Sequence, residues 1–214
     1  MSRLVNSIFL LCGLILGLAA FPVFGQENSG GIEINKRPLK DLAESIKEKK
    51  LDWTKPFLVE VEGSLTKEGR FNTAKTKFIK SEGDAKLVEV VKQTFVAVGD
   101  SGWLRYLSSQ GIEQVKISAA QNSENFSVSI ISQQPTVAKA NTLSSGLNSI
   151  VTAALLLDKN GYKKLGNDEI KLLNGTRTTV QEKTVNINVS LSASDFHEMV
   201  KRRMSESKEN TGVK

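Results

Sequence analysis

Residues 77–93 read KFIKSEGDAKLVEVVKQ. Phe78 closes a strand-like run opposite Lys75 and Lys77, Ser81-Glu82-Gly83 breaks it, and Leu87, Val90 and Val91 recur at helical spacing. Strand, break and helix is also the order of a phosphate-cradling loop. Such a loop needs several glycines for close backbone approach and a Lys-Ser/Thr pair for phosphate and magnesium. Here there is one glycine, and Glu82 and Asp84 would repel an anion at the helix start. Asp84 is expected instead to be the cap or a first-turn acid of its own helix. The stretch marks a fold, not a nucleotide site.

Working outward, Phe57, Val59 and Val61 alternate with Leu58, Glu60 and Glu62, the period of a half-buried strand. Lys67-Glu68-Gly69 is expected to turn the chain, and Ala74, Thr76 and Phe78 return on one face. The helix that follows carries Leu87, Val90, Val91, Phe95 and Val98, with Gly99 expected to stop it. Trp103, Leu104 and Leu107 extend its apolar surface through a short piece ending at Gly111.

The order then recurs. Val115, Ile117 and Ala119 alternate, Asn122–Asn125 turns, and Phe126, Val128 and Ile130 alternate back. Pro135 opens a long helix with Ala140, Leu143, Leu147, Ile150, Val151, Ala154 and Leu157 on one stripe. A third version runs from Ile170–Leu173 through Asn174-Gly175, a strong hairpin signal. A strand with Val185, Ile187, Val189 and Leu191 on one face comes next. Ser192-Ala193-Ser194-Asp195 resembles a capping box ahead of Phe196, Met199 and Val200. The expected fold is therefore α+β: an antiparallel sheet of three hairpin-then-helix units, with helices beginning near 84, 136 and 193 and packed on one face. The side chains do not repeat, so duplication and chance alternation both remain open.

The ends carry separate signals. Arg3 precedes an almost uncharged, apolar run from Ile8 to Gly25, the pattern of a signal peptide cleaved between Gly25 and Gln26. The same run approaches the length of a membrane span, so a retained anchor is the alternative. Residues 26–36 read as a flexible lead-in, 37–120 as one α+β unit, 121–204 as further hairpin–helix units on the same core, and 205–214 as a polar, disordered tail. Cys12 is the single cysteine and lies in the segment expected to be removed, so no disulfide or cysteine metal site is expected.

The net charge of +6 is spread over small groups, Lys47–Lys50, Lys75/Lys77/Lys80, Lys163-Lys164 and Lys201–Arg203. These read as solvated faces, with weak attraction to an anionic envelope surface as the sharper reading. Export argues against nucleic acid. His197 is the single histidine and is expected at a helix edge. Glu60 and Glu62 share a face opposite the apolar set, so that face is expected to meet solvent. No catalytic residue, metal ligand or cofactor motif stands out, and no cofactor is expected. Trp103, Arg105 and Tyr106, in DSGWLRYLSSQG (100–111), form the candidate partner-binding group, because aromatics beside arginine are common in binding surfaces. Trp103 has the core as its competing place.

At VEVEGSLTKEGRFNTAKTKFIKSEGDAKLVEVVKQ (59–93) the chain resembles the C-terminal domain of TonB-family energy transducers. Glu68-Gly69 matches the family's turn, Ser81 and Gly83 its strand end, and Leu87 its first buried helix residue. The match is partial and covers residues 57–120 at most. The family's Pro-rich linker is missing, with four prolines in all, and the apolar N-terminal run has no histidine. The resemblance implies a periplasmic, non-enzymatic protein–protein interaction module of a Gram-negative envelope, binding envelope proteins by strand addition. It does not imply energy transduction. A membrane-anchored transducer, if residues 8–25 are retained, and an exported enzyme without a sequence signature are the alternatives.

Overall fold

Asp84 starts its helix as its chemistry dictates: Oδ1 accepts hydrogen bonds from the N–H groups of Lys86 and Leu87, both at 3.1 Å. Those bonds, the one from Leu87 first, hold its carboxyl below the usual carboxylate range. Gly83, one residue earlier, has φ +100°, and a Cβ there would lie 2.3 Å from the Pro56 carbonyl oxygen. Only glycine fits such a junction. The computed structural model describes residues 35–47 and 49–209; the expected signal segment 1–25 lies outside the described residues.

Six strands form one antiparallel sheet. They are β1 (Phe57–Ser64), β2 (Lys77–Gly83), β3 (Gln114–Gln121), β4 (Asn125–Gln133), β5 (Thr176–Gln181) and β6 (Thr184–Ser192). Their order is β2-β1-β3-β4-β6-β5. Among the described residues six α-helices accompany them: α1 (Arg37–Lys47), α2 (Ala85–Ser101), α3 (Arg105–Ser109), α4 (Val137–Lys159), α5 (Asn167–Gly175) and α6 (Ala193–Glu209). The fold is α+β, as the patterning predicts.

Alternation decides which face is buried. Phe57, Val59 and Val61 of β1, Val115, Ile117 and Ala119 of β3, Phe126, Val128 and Ile130 of β4, and Val185, Ile187, Val189 and Leu191 of β6 join one continuous core. Helical side chains from Leu39 of α1 to Val200 of α6 belong to the same cluster. The proposed seam between residues 120 and 121 thus lies within a continuous sheet. Each fully buried apolar side chain contributes about 1.5–3 kcal/mol, so this shared core holds the layers together. At its centre the Phe126 and Phe196 rings stack at 3.9 Å, and Trp53 meets Phe196 edge-on at 5.9 Å. The opposite sheet face is polar: Lys116 pairs with Glu60 at 2.8 Å, and Ser118 and Ser129 share a hydrogen bond of 2.8 Å.

Five expectations are corrected. The returning strand does not run through Ala74 and close at Phe78: Thr73–Lys75 form a 3-10 turn, and Ser81, Glu82 and Gly83 pair with Val59, Leu58 and Phe57 as part of β2. Gly99 does not stop α2; the helix continues to Ser101, and Gly102 at φ +75° caps it. Gly99 is required instead because the Phe71 ring lies 2.1 Å from where its Cβ would be. Asn174-Gly175 is not a hairpin turn but the end of α5, since burial of Leu172 and Leu173 needs a helix there. The real turn is Glu182-Lys183, with Glu182 at φ 52°. Leu157 is not on the buried stripe of α4 but 38% exposed. Residues 205–209, expected as tail, continue α6, because no glycine or proline interrupts the chain before Gly212.

Candidate partner-binding surface

The sequence-predicted group does not form one surface. Trp103 follows the Gly102 cap, is 7% exposed and sits in the core. Its backbone N–H donates to Ser101 Oγ at 3.1 Å. Tyr106 packs half-buried against the same core, and that burial raises its hydroxyl pKa. A Cβ at Gly146 of α4 would lie 3.9 Å from the Tyr106 hydroxyl, an ordinary van der Waals contact, which places α3 beside α4. Arg105 alone of the three is well exposed.

Groups that could do chemistry are already engaged. Lys171 of α5 forms an ion pair with Asp195 of α6. Ser192 Oγ donates to Asp195 Oδ2 at 2.8 Å and accepts from the Asp195 N–H at 3.1 Å. The hydrogen bond from Lys171 holds the Asp195 carboxyl below its usual range, and the same bond raises Lys171. A lysine kept protonated cannot serve as base for Ser192, so the cluster is a helix cap tied to α5. Asp168, buried in α5, pairs with Arg202 of α6 in the same structural role. Among the described residues no three His, Asp or Glu side chains gather as metal ligands.

His197 is more enclosed than its place on a helix edge suggests. Its Nε2 lies 3.1 Å from Gln121 Nε2, and that amide nitrogen also donates to the carbonyls of Trp53 and Lys55. Residues far apart in sequence are thereby tied across the end of β3. No sequence signal joins them, because the sheet alone brings them together.

The sheet edges are the remaining candidates for recognition. β2 pairs with β1 alone, exposes every residue, and carries a register shift at Ile79, which has no partner in β1. Lys77 and Lys80 flank that bulge and pair with Glu62 and Glu82. Bulges and lysines are the usual means by which an edge strand discourages pairing. β5 pairs with β6 alone, residue for residue, without a bulge. It reads Thr-Arg-Thr-Thr-Val-Gln, with neither lysine nor proline. The two-residue turn makes Gln181 and Thr184 a hydrogen-bonded pair, so the N–H and C=O of Thr178 and Val180 point away from β6, while those of Thr176 are taken by the Leu173 carbonyl and the Arg177 side chain. Thr178 Oγ1 and Asn186 Oδ1, both on this hairpin, are buried without a hydrogen-bond partner. Sequence reading missed β5 because its edge position depends on β6 inserting beside β4. Comparison of the chain with protein-family models, curated proteins and solved structures gives no significant match.

Proposed function

We propose that this chain is an exported, non-enzymatic interaction module of the cell envelope that takes an extended segment of a partner protein along the edge of β5. The observation that carries this reading is the bulge-free outer edge of β5 at Thr178 and Val180, in contrast to the bulged and charged edge of β2. Strand addition satisfies outward N–H and C=O groups while side-chain pockets select the sequence. The partner class comes from the resemblance to the TonB C-terminal domain; in the residues that carry it, Gly69 lies in a turn at φ +73° and Leu87 is fully buried.

The test is a photo-crosslinking amino acid at Thr179, which is exposed on β5, in cells expressing the full chain. The expected result is one discrete adduct with an envelope protein, lost in the Thr178→Pro background and absent when the probe replaces Ser81 on β2. An adduct that survives Thr178→Pro, with the variant folded by circular dichroism, overturns the edge reading. Mass spectrometry of the mature N-terminus tests export separately. A chain starting at Gln26 supports it; one retaining residues 8–25 supports the anchored transducer.

A further inference from the structure

The far end of α4 differs from the rest of the surface. From Ala140 to Leu157 the helix has no charged residue. Ala140, Leu143 and Leu147 enter the main core, while Val151 and Ala154 form a separate small cluster with Leu173. Beyond them Leu156 is 49% exposed, Leu157 38%, and Tyr162 in the following turn 82%. Exposed side chains this large, adjacent in space by helix and turn, are an unusual concentration for a soluble surface.

Their surroundings are basic. Lys159, Lys163 and Lys164 flank the apolar tip and outnumber the acids beside it, Asp158 and Glu169, whose negative carboxylates are held to the backbone. Asp158 Oδ1 accepts from the Leu165 N–H at 2.8 Å, Glu169 Oε2 from the Gly166 N–H at 2.7 Å, and Asp168 is buried against Arg202. The backbone is closed as well. The carbonyls of Leu156, Leu157 and Asp158 accept from the N–H groups of Asn160, Gly161, Tyr162 and Lys163, at 3.0–3.3 Å. A helix end ordinarily leaves carbonyls that need water. With several of them satisfied by its own turn, this tip loses less on entering an apolar medium.

We infer that residues 155–164 are a membrane-docking tip that sets Leu156, Leu157 and Tyr162 into the interface of an anionic lipid bilayer, with Lys159, Lys163 and Lys164 against its headgroups. Charge complementarity selects this occupant, because lysines beside exposed leucines and a tyrosine match a negative surface with an apolar interior. A second copy docked tip to tip would bring like charges together. The inference does not depend on the β5 edge, and it concerns docking, not spanning. α4 has the length and composition of a membrane helix, but its inner stripe is already covered by protein.

The test uses the full chain carrying Tyr162→Trp. Trp53 and Trp103 are 6% and 7% exposed, so a lipid quencher reports mainly on the introduced indole. With vesicles of brominated phosphatidylglycerol and phosphatidylcholine, its emission is expected to shift blue and be quenched; with brominated phosphatidylcholine alone it is not. Adding Lys159→Gln, Lys163→Gln and Lys164→Gln raises the lipid concentration for half-quenching roughly 100-fold, from about fivefold per lysine. Adding Leu156→Ser and Leu157→Ser removes the quenching. Because the readout is local, attachment of vesicles through residues 8–25 does not imitate it. An unquenched indole, equal quenching in both vesicle types, or a lipid-independent dimer that the two Leu→Ser changes dissociate in sedimentation each overturns the inference.

Discussion

β2 and β5 close the same sheet and are built on opposite terms. β2 is exposed along its whole length, bulged at Ile79 and set with charge pairs. β5 is regular, uncharged apart from Arg177, and backed by α4 on its inner face. Arg177 itself turns back, donating to the carbonyls of Asn174 and Thr176 at 2.8 Å. A sheet needs protection only where pairing is unwanted. On the reading proposed above, the difference between the two edges separates a surface kept apart from one left ready.

Mutations can break this contrast. The largest effect is expected on the β5 side, where Phe196 anchors the aromatic stack beneath β4 and β6: Phe196→Ala should cost about 3–5 kcal/mol by urea denaturation. On the β2 side, Gly83→Ala forces a Cβ against the Pro56 carbonyl and should cost about 2–3 kcal/mol. Gly161→Ala, at φ +74° with open space around it, should cost only about 1 kcal/mol. Deleting Ile79 together with Lys80→Thr makes β2 resemble β5. Light scattering should then show self-association that the wild type lacks at the same concentration; a monomeric variant would mean that the bulge is not what protects this edge.

The smallest effects are those of pH. Asp84 beside β2 and Asp195 beside β6 both have lowered folded pKa values. Their stabilisation is present above the ordinary carboxylate pKa and lost as pH falls through the lowered folded values. Lys171 is raised, so its contribution is present below the ordinary lysine pKa and lost as pH rises through the raised one. Thermal melts of Asp84→Asn should show a reduced acid-side slope alone, whereas Asp195→Asn should flatten both limbs.

Legibility followed locality. The Asp84 cap, the Leu87, Val90 and Val91 stripe and the alternation of β1, β3, β4 and β6 are local patterns, and they predict the elements well. Gly99 misleads because its reason is the Phe71 ring, which arrives from another segment. Asn174-Gly175 misleads because burial of Leu172 and Leu173 overrides a turn preference. Trp103 and Tyr106 suggest recognition by residue type, yet the short α3 turns both toward the core. The β5 edge could not be read at all, since strand order is set by tertiary pairing. The lysines near the tip of α4 were visible, but exposure of Leu157 was not, because a 3.6-residue stripe cannot say where its covering partner ends.

One feature of the strand order bears on how the chain comes into being. β4 waits for β6, and their register joins Asn125 to Ser192 across two helices and a strand. During N-to-C synthesis β4 is thus a temporary outer strand, with Phe126, Val128 and Ile130 on one side. Its other side carries Asn125, Ser127, Ser129 and Gln133 around a single Ile131, a mostly polar stripe that makes the half-built sheet less sticky until the last hairpin arrives. Nascent chains halted before residue 184 should bind chaperones more than finished ones. Ser129 then keeps a second role in the finished sheet, where it shares a hydrogen bond with Ser118.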